Sequence, residues 1–271
     1  MQTATALECK NLVLDPVSAA AWPLFSPDRS PADVYQELTA GLPENTQLTL
    51  GIKQTGQLEY IEYRNDGFFS NHYILGSSAL YSKAEVEPSA QGKGISATIN
   101  DHLFDLYKKI GIEEMCVNAA DVGVYAWARA GFVPKQETWM NIIRPEAHAR
   151  FAFLQEHPHP NDPPLSHSTI SALKTALASD DAKSFWTIVD QTSPCHGTTL
   201  GKALSLPLIE LPRNFPAENM ARHGAGNLDV WYGTLDMQDP DCTGRFSAKG
   251  SPAAPLAPVP LIAESKNTLT F

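Results

Sequence analysis

The stretch from Val86 to Ile110 constrains the fold more than any other part of the chain. An extended segment is stopped by Pro88 and leads into a turn with two glycines, after which an amphipathic helix begins. Glycine lets the backbone approach a ligand closely, and the first turn of a helix offers free N–H groups and the positive end of its dipole. This order of elements predicts a binding site for an anion such as a pyrophosphate.

The glycine spacing separates this turn from two common phosphate motifs. The P-loop pattern G-x-x-x-x-G-K-S/T is absent from the stretch, and Gly92-x-Gly94 is followed by Ala97 where a dinucleotide fingerprint has its third glycine. The turn therefore predicts neither a P-loop nor an ordinary dinucleotide site.

The same stretch resembles the coenzyme A pyrophosphate loop of the GCN5-related N-acetyltransferase (GNAT) superfamily. That motif is Q/R-x-x-G-x-G/A, preceded by a strand that ends in V-x-P. Here Gln91-x-x-Gly94-x-Ser96 follows Val86-x-Pro88, and Ser96 replaces one small residue by another.

The elements after the loop extend this resemblance over residues 79–133. A helix with apolar residues spaced by three and four is followed by a short strand at 114–119 and by a second helix that ends before Gly131-Phe132. The resemblance implies an α/β fold with a mixed, mostly antiparallel GNAT-like sheet flanked by helices. It also implies an open edge where the strand ending at Val86 splays from the strand 114–119.

The resemblance implies acetyl-CoA or another acyl-CoA as co-substrate, bound mainly by backbone. Amides of residues 92–96 would hold the pyrophosphate, and backbone near Val86 would pair with the pantetheine arm. Asn118 lies two positions early for the family's asparagine but could still orient that arm. The predicted binding residues are Val86, Gln91, Gly92, Lys93, Gly94, Ile95, Ser96 and Asn118.

Acylation of an amine needs a base for the amine and an acid for the departing thiolate. Glu85 and Glu87 alternate along a strand and point to one face, so they are candidate bases, with solvated surface carboxylates as the alternative. The family's tyrosine position holds Trp127, which leaves Tyr125 as the candidate acid, solvent as another, and lost activity as a third interpretation. His72 could also serve as a base, but it is expected to be an exposed histidine.

The remaining N-terminal pattern predicts an α/β layout with a mixed sheet. A helix is expected from the cap residue Ser30 to Gly41. Further strands are expected at residues 46–53, 58–64, 68–75, 79–87, 132–133 and 138–143.

Proline marks a change in the second half, where 15 of the 21 prolines lie at or after Pro134. We predict a GNAT-like domain at residues 1–147, an irregular, proline-rich α+β extension that packs on it at 148–248, and a Pro/Ala-rich tail at 249–271. Helices are expected at 166–178 and 180–190 and a strand at 227–237.

Charge and cysteine content exclude several classes of function. A net charge of −10 argues against binding to nucleic acid or to anionic membranes. The four cysteines include no C-x-x-C pair, so no metal site is expected. Cys195 beside His196 would be a reactive thiolate or, alternatively, an inert thiol. Unpaired thiols and the absence of a signal-peptide pattern predict a cytoplasmic protein.

Together these features predict an acyl-CoA-dependent N-acyltransferase that moves an acetyl or longer acyl group to an amine of a peptide, a protein or a small molecule. The alternative is a non-catalytic GNAT-like protein that binds acyl-CoA or acts as an interaction or effector scaffold. The sequence leaves the acyl length, the acceptor and the oligomeric state open.

Overall fold

The computed structural model describes residues 10–250 except 88, 91–92, 121–122, 213–214 and 223–229. The strands in this part of the chain are β1 (Leu12–Val13), β2 (Gln47–Ile52), β3 (Leu58–Asn65), β4 (Phe68–Leu75), β5 (Ser78–Val86), β6 (Glu114–Ala120), β7 (Val133–Pro134), β8 (Pro194–Cys195), β9 (Thr198–Thr199) and β10 (Val230–Asp236). The helices are α1 (Pro16–Phe25), α2 (Pro31–Thr39), α3 (Ile95–Lys109), α4 (Gly123–Arg129), α5 (Gln136–Thr138), α6 (Arg144–Glu156), α7 (His167–Ala178), α8 (Ser184–Val189), α9 (Leu200–Ser205), α10 (Ala217–Arg222) and α11 (Pro240–Gly250), with a π-helical turn over Trp139–Ile143 and a 3-10 turn over Leu208–Glu210. None of the helices described is both long and apolar enough to span a bilayer.

One large sheet organises the chain, with the strand order β1-β2-β3-β4-β5-β6-β10-β7. β1 runs parallel to β2 and β5 runs parallel to β6, while the other described ladders of this sheet are antiparallel. This confirms the predicted fold class as far as a mixed and mostly antiparallel sheet flanked by helices.

The strands β2 to β5 form an antiparallel meander, which confirms the four strands predicted at residues 46–53, 58–64, 68–75 and 79–87. Leu48, Leu50 and Ile52 of β2 are buried on one face, as their period of two requires. The turn to β3 ends at Gly56, whose φ of 81° favours glycine, and its N–H donates to the carbonyl of Lys53.

The predicted helices α2 and α3 are confirmed to within two residues. Ser30 and Asp33 form a capping box at the start of α2, each side chain accepting a hydrogen bond from the other's backbone N–H. In α3, Ile95, Ile99 and Leu103 are buried on one stripe. The apolar period of three and four therefore identified the face that packs on the sheet.

The strand expected at residues 138–143 is wrong, because this segment is helical. Trp139, Ile143 and Ala147 are fully buried at a spacing of four, which places them on one face of the continuous helical segment that continues into α6. The indole N–H of Trp139 also donates to the carbonyl of Ser179 at 3.1 Å. Residues 180–190 are likewise less helical than expected, since α8 covers only Ser184–Val189.

The C-terminal half contributes a strand to the sheet. β10 pairs with β6 over seven residues, from Val230 with Ala120 to Asp236 with Glu114, and its other edge pairs with β7. The strand predicted at 227–237 is therefore present over Val230–Asp236, while residues 227–229 lie outside the described residues. It pairs with β6 and β7, two strands on the other side of the predicted boundary at residue 147. The helix α11 has no counterpart among the predicted elements, and it includes residues 249 and 250, where the tail was expected to begin. The rest of the predicted tail, 251–271, lies outside the described residues.

Candidate functional site

β5 and β6 separate from each other partway along their length. Their parallel pairing runs from Ser78 with Glu114 to Tyr81 with Val117, and in the described ladder it ends there, while β5 continues to Val86. The pairing of β5 with β4 shifts register at the same point, which leaves Ser82 as an extra residue. Because a bulge bends and twists a strand, the bulge at Ser82 explains the expected splay.

The start of α3 lies just beyond the splayed end of β5. Gly94 is its N-cap in the left-handed conformation, with φ 76° and no side-chain hydrogen bond to the helix. A Cβ atom at Gly94 would meet no atom within 4 Å, so there is open space beside this residue. The N–H groups of this turn have no intrahelical partners, which makes the position suitable for an anion.

The predicted loop residues differ in what they can offer a ligand. Lys93 and Ser96 are exposed, and Val86 is half-buried. The side chain of Ile95 is buried, so only its backbone amide can serve a ligand. Gln91 and Gly92 lie outside the described residues.

Asn118 occupies the mouth of the splay. It is the first residue of β6 after the last pair with β5, its side chain is exposed, and it pairs with Tyr232 of β10. The amide is therefore held at the point where the two parallel strands part, two residues before β6 ends.

Glu85 and Glu87 line a groove of about 650 Å³ on the open face of the sheet. Both are exposed, and Glu85 forms an ion pair of 2.9 Å with Lys83. Directly across the strands lies Phe69, whose ring has the Arg64 guanidinium 4.8 Å from its centroid. The groove therefore brings the two candidate bases together with two cations and an aromatic floor.

The structure does not bring Tyr125 to that groove. Its hydroxyl accepts a hydrogen bond of 3.1 Å from Arg129, and Lys202 of α9 lies 5.7 Å from its ring centroid. Trp127, two residues later, points instead toward β5, with its ring centroid 4.9 Å from that of Tyr81. Tyr125 thus faces α9 while Trp127 faces the splay, as a helical separation of two residues requires.

Sequence reasoning missed the residues beneath the splay. A cavity of about 30 Å³ there is lined by Ser70, Tyr81, Asn100 and Trp127 among others. The Tyr81 hydroxyl donates to Asn100 Oδ1 at 2.9 Å. Tyr81 lies in the period-two stripe of β5, so the alternation placed it inward but carried no sign of a cavity.

The expectation that His72 is exposed is wrong. It is fully buried, its Nε2 atom shares a hydrogen bond of 2.6 Å with the Ser70 hydroxyl, and burial lowers its pKa to about 3. His72 alternates with Phe68, Ser70 and Ile74 on the inward face of β4, a signal that the sequence contained. The ring is neutral at ordinary pH, so it is a poor candidate for a base.

The reactive-thiolate interpretation of Cys195 is also wrong. Burial, and then the nearby Asp162 carboxylate, raise the pKa of this thiol to about 12. The side chain is buried, so it is the inert thiol of the alternative interpretation. Among the residues described, no group of three or more His, Cys, Asp or Glu side chains could hold a metal ion.

The described comparisons with known proteins give no close match. No family model matches the sequence, and no curated protein matches it. Among solved structures, the ribosomal-protein-S18-alanine N-acetyltransferase from Escherichia coli is similar, with 14% sequence identity, a TM-score of 0.25, and coverage of 45% of this chain and 75% of that chain. At this identity and TM-score the likeness says nothing about what the present chain does.

Proposed function

We propose that the protein is an acyl-CoA-dependent N-acyltransferase that transfers an acetyl or longer acyl group to an amine of a peptide, a protein or a small molecule. The observation that carries this proposal is the splay of β5 from β6 directly beside the uncapped start of α3. The splay supplies an open strand edge, and the helix start supplies N–H groups and a dipole, so one extended ligand with an amide arm and a phosphate group fits both.

The backbone does the binding in this proposal. Amides of Gly94, Ile95 and Ser96 hold the pyrophosphate, and the splayed end of β5 up to Val86 offers a strand edge to the pantetheine amides. Lys93 adds positive charge near the phosphates, and Asn118 orients the arm at the mouth of the splay. Gln91 and Gly92 are proposed to belong to the same pyrophosphate-binding loop, as the motif implies. A net charge of −10 does not oppose this site, because backbone amides and a helix dipole do not enter the formal charge.

Glu85 or Glu87 accepts the proton of the attacking amine. Both carboxylates face the open groove, where an acceptor can reach the strand edge without crossing the core. For the departing thiolate the candidate acids are Tyr125 and solvent. Because the Tyr125 ring faces α9 and its hydroxyl accepts a hydrogen bond from Arg129, solvent at the open splay is the proposed acid.

One observation favours the non-catalytic alternative, in which the protein binds acyl-CoA without turning it over. The side chain that faces the splay is Trp127, and an indole has no proton that titrates in the working range. Tyr125, the candidate acid, faces α9 instead.

Binding and turnover separate the two functions. The full chain is titrated with acetyl-CoA by calorimetry, and thiol release is then followed against small amines, amino acids and peptides with free N-termini or lysines. Binding with thiol release supports the transferase, and binding without release across the panel supports the non-catalytic protein. If neither acetyl-CoA nor any longer acyl-CoA binds, the proposal is wrong.

The variant Gly94→Asp tests the phosphate site. It places a negative charge where the pyrophosphate is proposed to bind, so the affinity for CoA should fall at least about tenfold. Calorimetry on the purified variant measures this fall.

Gly111→Asp is a matched control, because Gly111 has φ 77°, no atom within 4 Å of an added Cβ, and a place at the other end of α3. Both variants bear the left-handed strain of a non-glycine residue, about 1–2 kcal/mol. Equal CoA affinities in the two variants would contradict the proposed phosphate site.

A further inference from the structure

The cavity beneath the splay lies on the opposite side of β5 from the groove. Ala84 and Val86 line the cavity, whereas Glu85 and Glu87 line the groove, as the alternation of a strand requires. A group held at the strand edge therefore has the acceptor groove on one side and this cavity on the other.

The cavity is small, is lined by residues from four elements, and opens at the exposed residues Ala84 and Ser96. Its volume is about 30 Å³. A cavity needs about 10–15 Å³ for each water-sized group, so this one holds about two. That is the size of the methyl and carbonyl oxygen of an acetyl group. Apolar walls are contributed by Phe68 of β4, Val86 of β5, Ile99 of α3 and Trp127 of α4.

Two of these walls are held firmly in place. The Trp127 ring packs edge-on against the rings of both Phe132 and Tyr81, with ring centroids 5.1 Å and 4.9 Å apart. A Cβ atom at Gly123 would already approach Trp127 to 3.3 Å. Ile99 is 3% exposed within the stripe that packs on the sheet. Close-packed walls resist displacement, so the cavity cannot widen without loss of packing.

We propose that this cavity limits the length of the acyl chain that the protein accepts, with Trp127 and Ile99 as the residues that close it. The inference rests on the function proposed above and adds its donor specificity: an acetyl group fits beneath the splay, and longer acyl chains are excluded. Trp127 then has a role as a wall of the acyl site, in the place where the family has a tyrosine.

The test measures binding of acetyl-CoA, butyryl-CoA and hexanoyl-CoA to the full chain by calorimetry, so it needs no knowledge of the acceptor. Wild type should bind acetyl-CoA at least about tenfold more tightly than hexanoyl-CoA, a discrimination in the range that apolar pockets achieve. Ile99→Ala enlarges the cavity and should reduce that preference several-fold by tightening the binding of hexanoyl-CoA.

Ile112→Ala is the matched control, because Ile112 is also an isoleucine with 3% exposure but does not line the cavity. It should keep the preference of wild type. If Ile99→Ala does not fold, Trp127→Phe opens the same cavity from α4 and should show the same change of preference.

The outcomes separate this inference from the function on which it rests. Equal affinity of wild type for acetyl-CoA and hexanoyl-CoA overturns the acyl limit while the binding function stands. An unchanged preference in a folded cavity variant overturns the assignment of the walls. If no CoA thioester binds to wild type, the proposed function fails and the acyl limit fails with it.

Discussion

His72 lies on the inward face of β4, where its imidazole is fully buried with one ring nitrogen bonded to Ser70 and the other without a partner. Burial disfavours the charged form, so its pKa falls from 6.5 to about 3. Between these two values the unfolded chain binds a proton that the folded protein does not bind. The contribution of His72 to stability is therefore complete above about pH 6.5 and is lost as the pH falls toward 3.

We expect the free energy of unfolding to decrease on acidification below pH 6.5, with His72 contributing a slope of up to about 1.4 kcal/mol per pH unit. His72→Phe should remove that part of the slope. Urea denaturation at pH 7 and pH 5 should then show a smaller loss for the variant than for wild type, by about 2 kcal/mol. His148→Gln, at an exposed histidine, should behave like wild type. A slope in His72→Phe equal to that of wild type would mean that the buried ring is not neutral.

β10 shows at the scale of one element why glycine is needed inside a strand. The Trp231 side chain is 1% exposed, its indole N–H donates to the carbonyl of Val124 at 3.2 Å, and its ring lies over Gly233. A Cβ atom at Gly233 would come within 1.9 Å of that ring. Because the ring is buried among closely packed atoms, it cannot move away from an added Cβ atom without a loss of packing.

Gly233→Ala should lower the free energy of unfolding by about 3 kcal/mol, because it overpacks the buried Trp231 side of β10, between β6 and β7. Gly244→Ala is the matched comparison in α11, where an added Cβ meets no atom within 4 Å. There the exchange should raise the free energy of unfolding by about 0.5–1 kcal/mol, since glycine is a poor helix former. Denaturant melts of both variants measure the difference. A Gly233→Ala variant with the same free energy of unfolding as wild type would contradict the packing described for Trp231.

At the scale of the whole molecule, the two halves of the chain share one sheet and one core. β10 separates β6 from β7, so residues from both sides of the predicted boundary at 147 alternate across the sheet. Phe104 of α3 stacks on Phe246 of α11 with centroids 5.1 Å apart, and the indole N–H of Trp186 donates to the carbonyl of Phe132 at 3.1 Å.

A fragment of residues 1–147 should therefore not fold cooperatively. Without β10, the seven residues of β6 would become an unpaired strand edge, β7 would lose its partner strand, and the aromatic contacts to α8 and α11 would be lost. Thermal melts of this fragment should lack the sharp transition of the full chain, and coexpression with residues 148–271 should restore it. A cooperative melt of the fragment alone would instead support the predicted boundary.

Local features were predictable wherever they depend on neighbouring residues. The capping box at Ser30, the amphipathic stripe of α3 and the strands of the meander follow from short-range pattern and turn chemistry. The face shared by Glu85 and Glu87 follows from strand alternation in the same way. The segment at 138–143 was misassigned because a few apolar residues fit either period until their continuation into α6 is known.

The sequence by itself determined the order of strand, glycine turn and helix that makes the proposed anion site, because each of those features depends on residues a few positions apart. Only the tertiary structure decided that β10 enters the sheet beside β6, that Trp127 rather than Tyr125 faces the splay, and that His72 is neutral. These properties depend on contacts between segments far apart in the chain. A periodic pattern shows which face of an element is apolar but not which distant segment covers it.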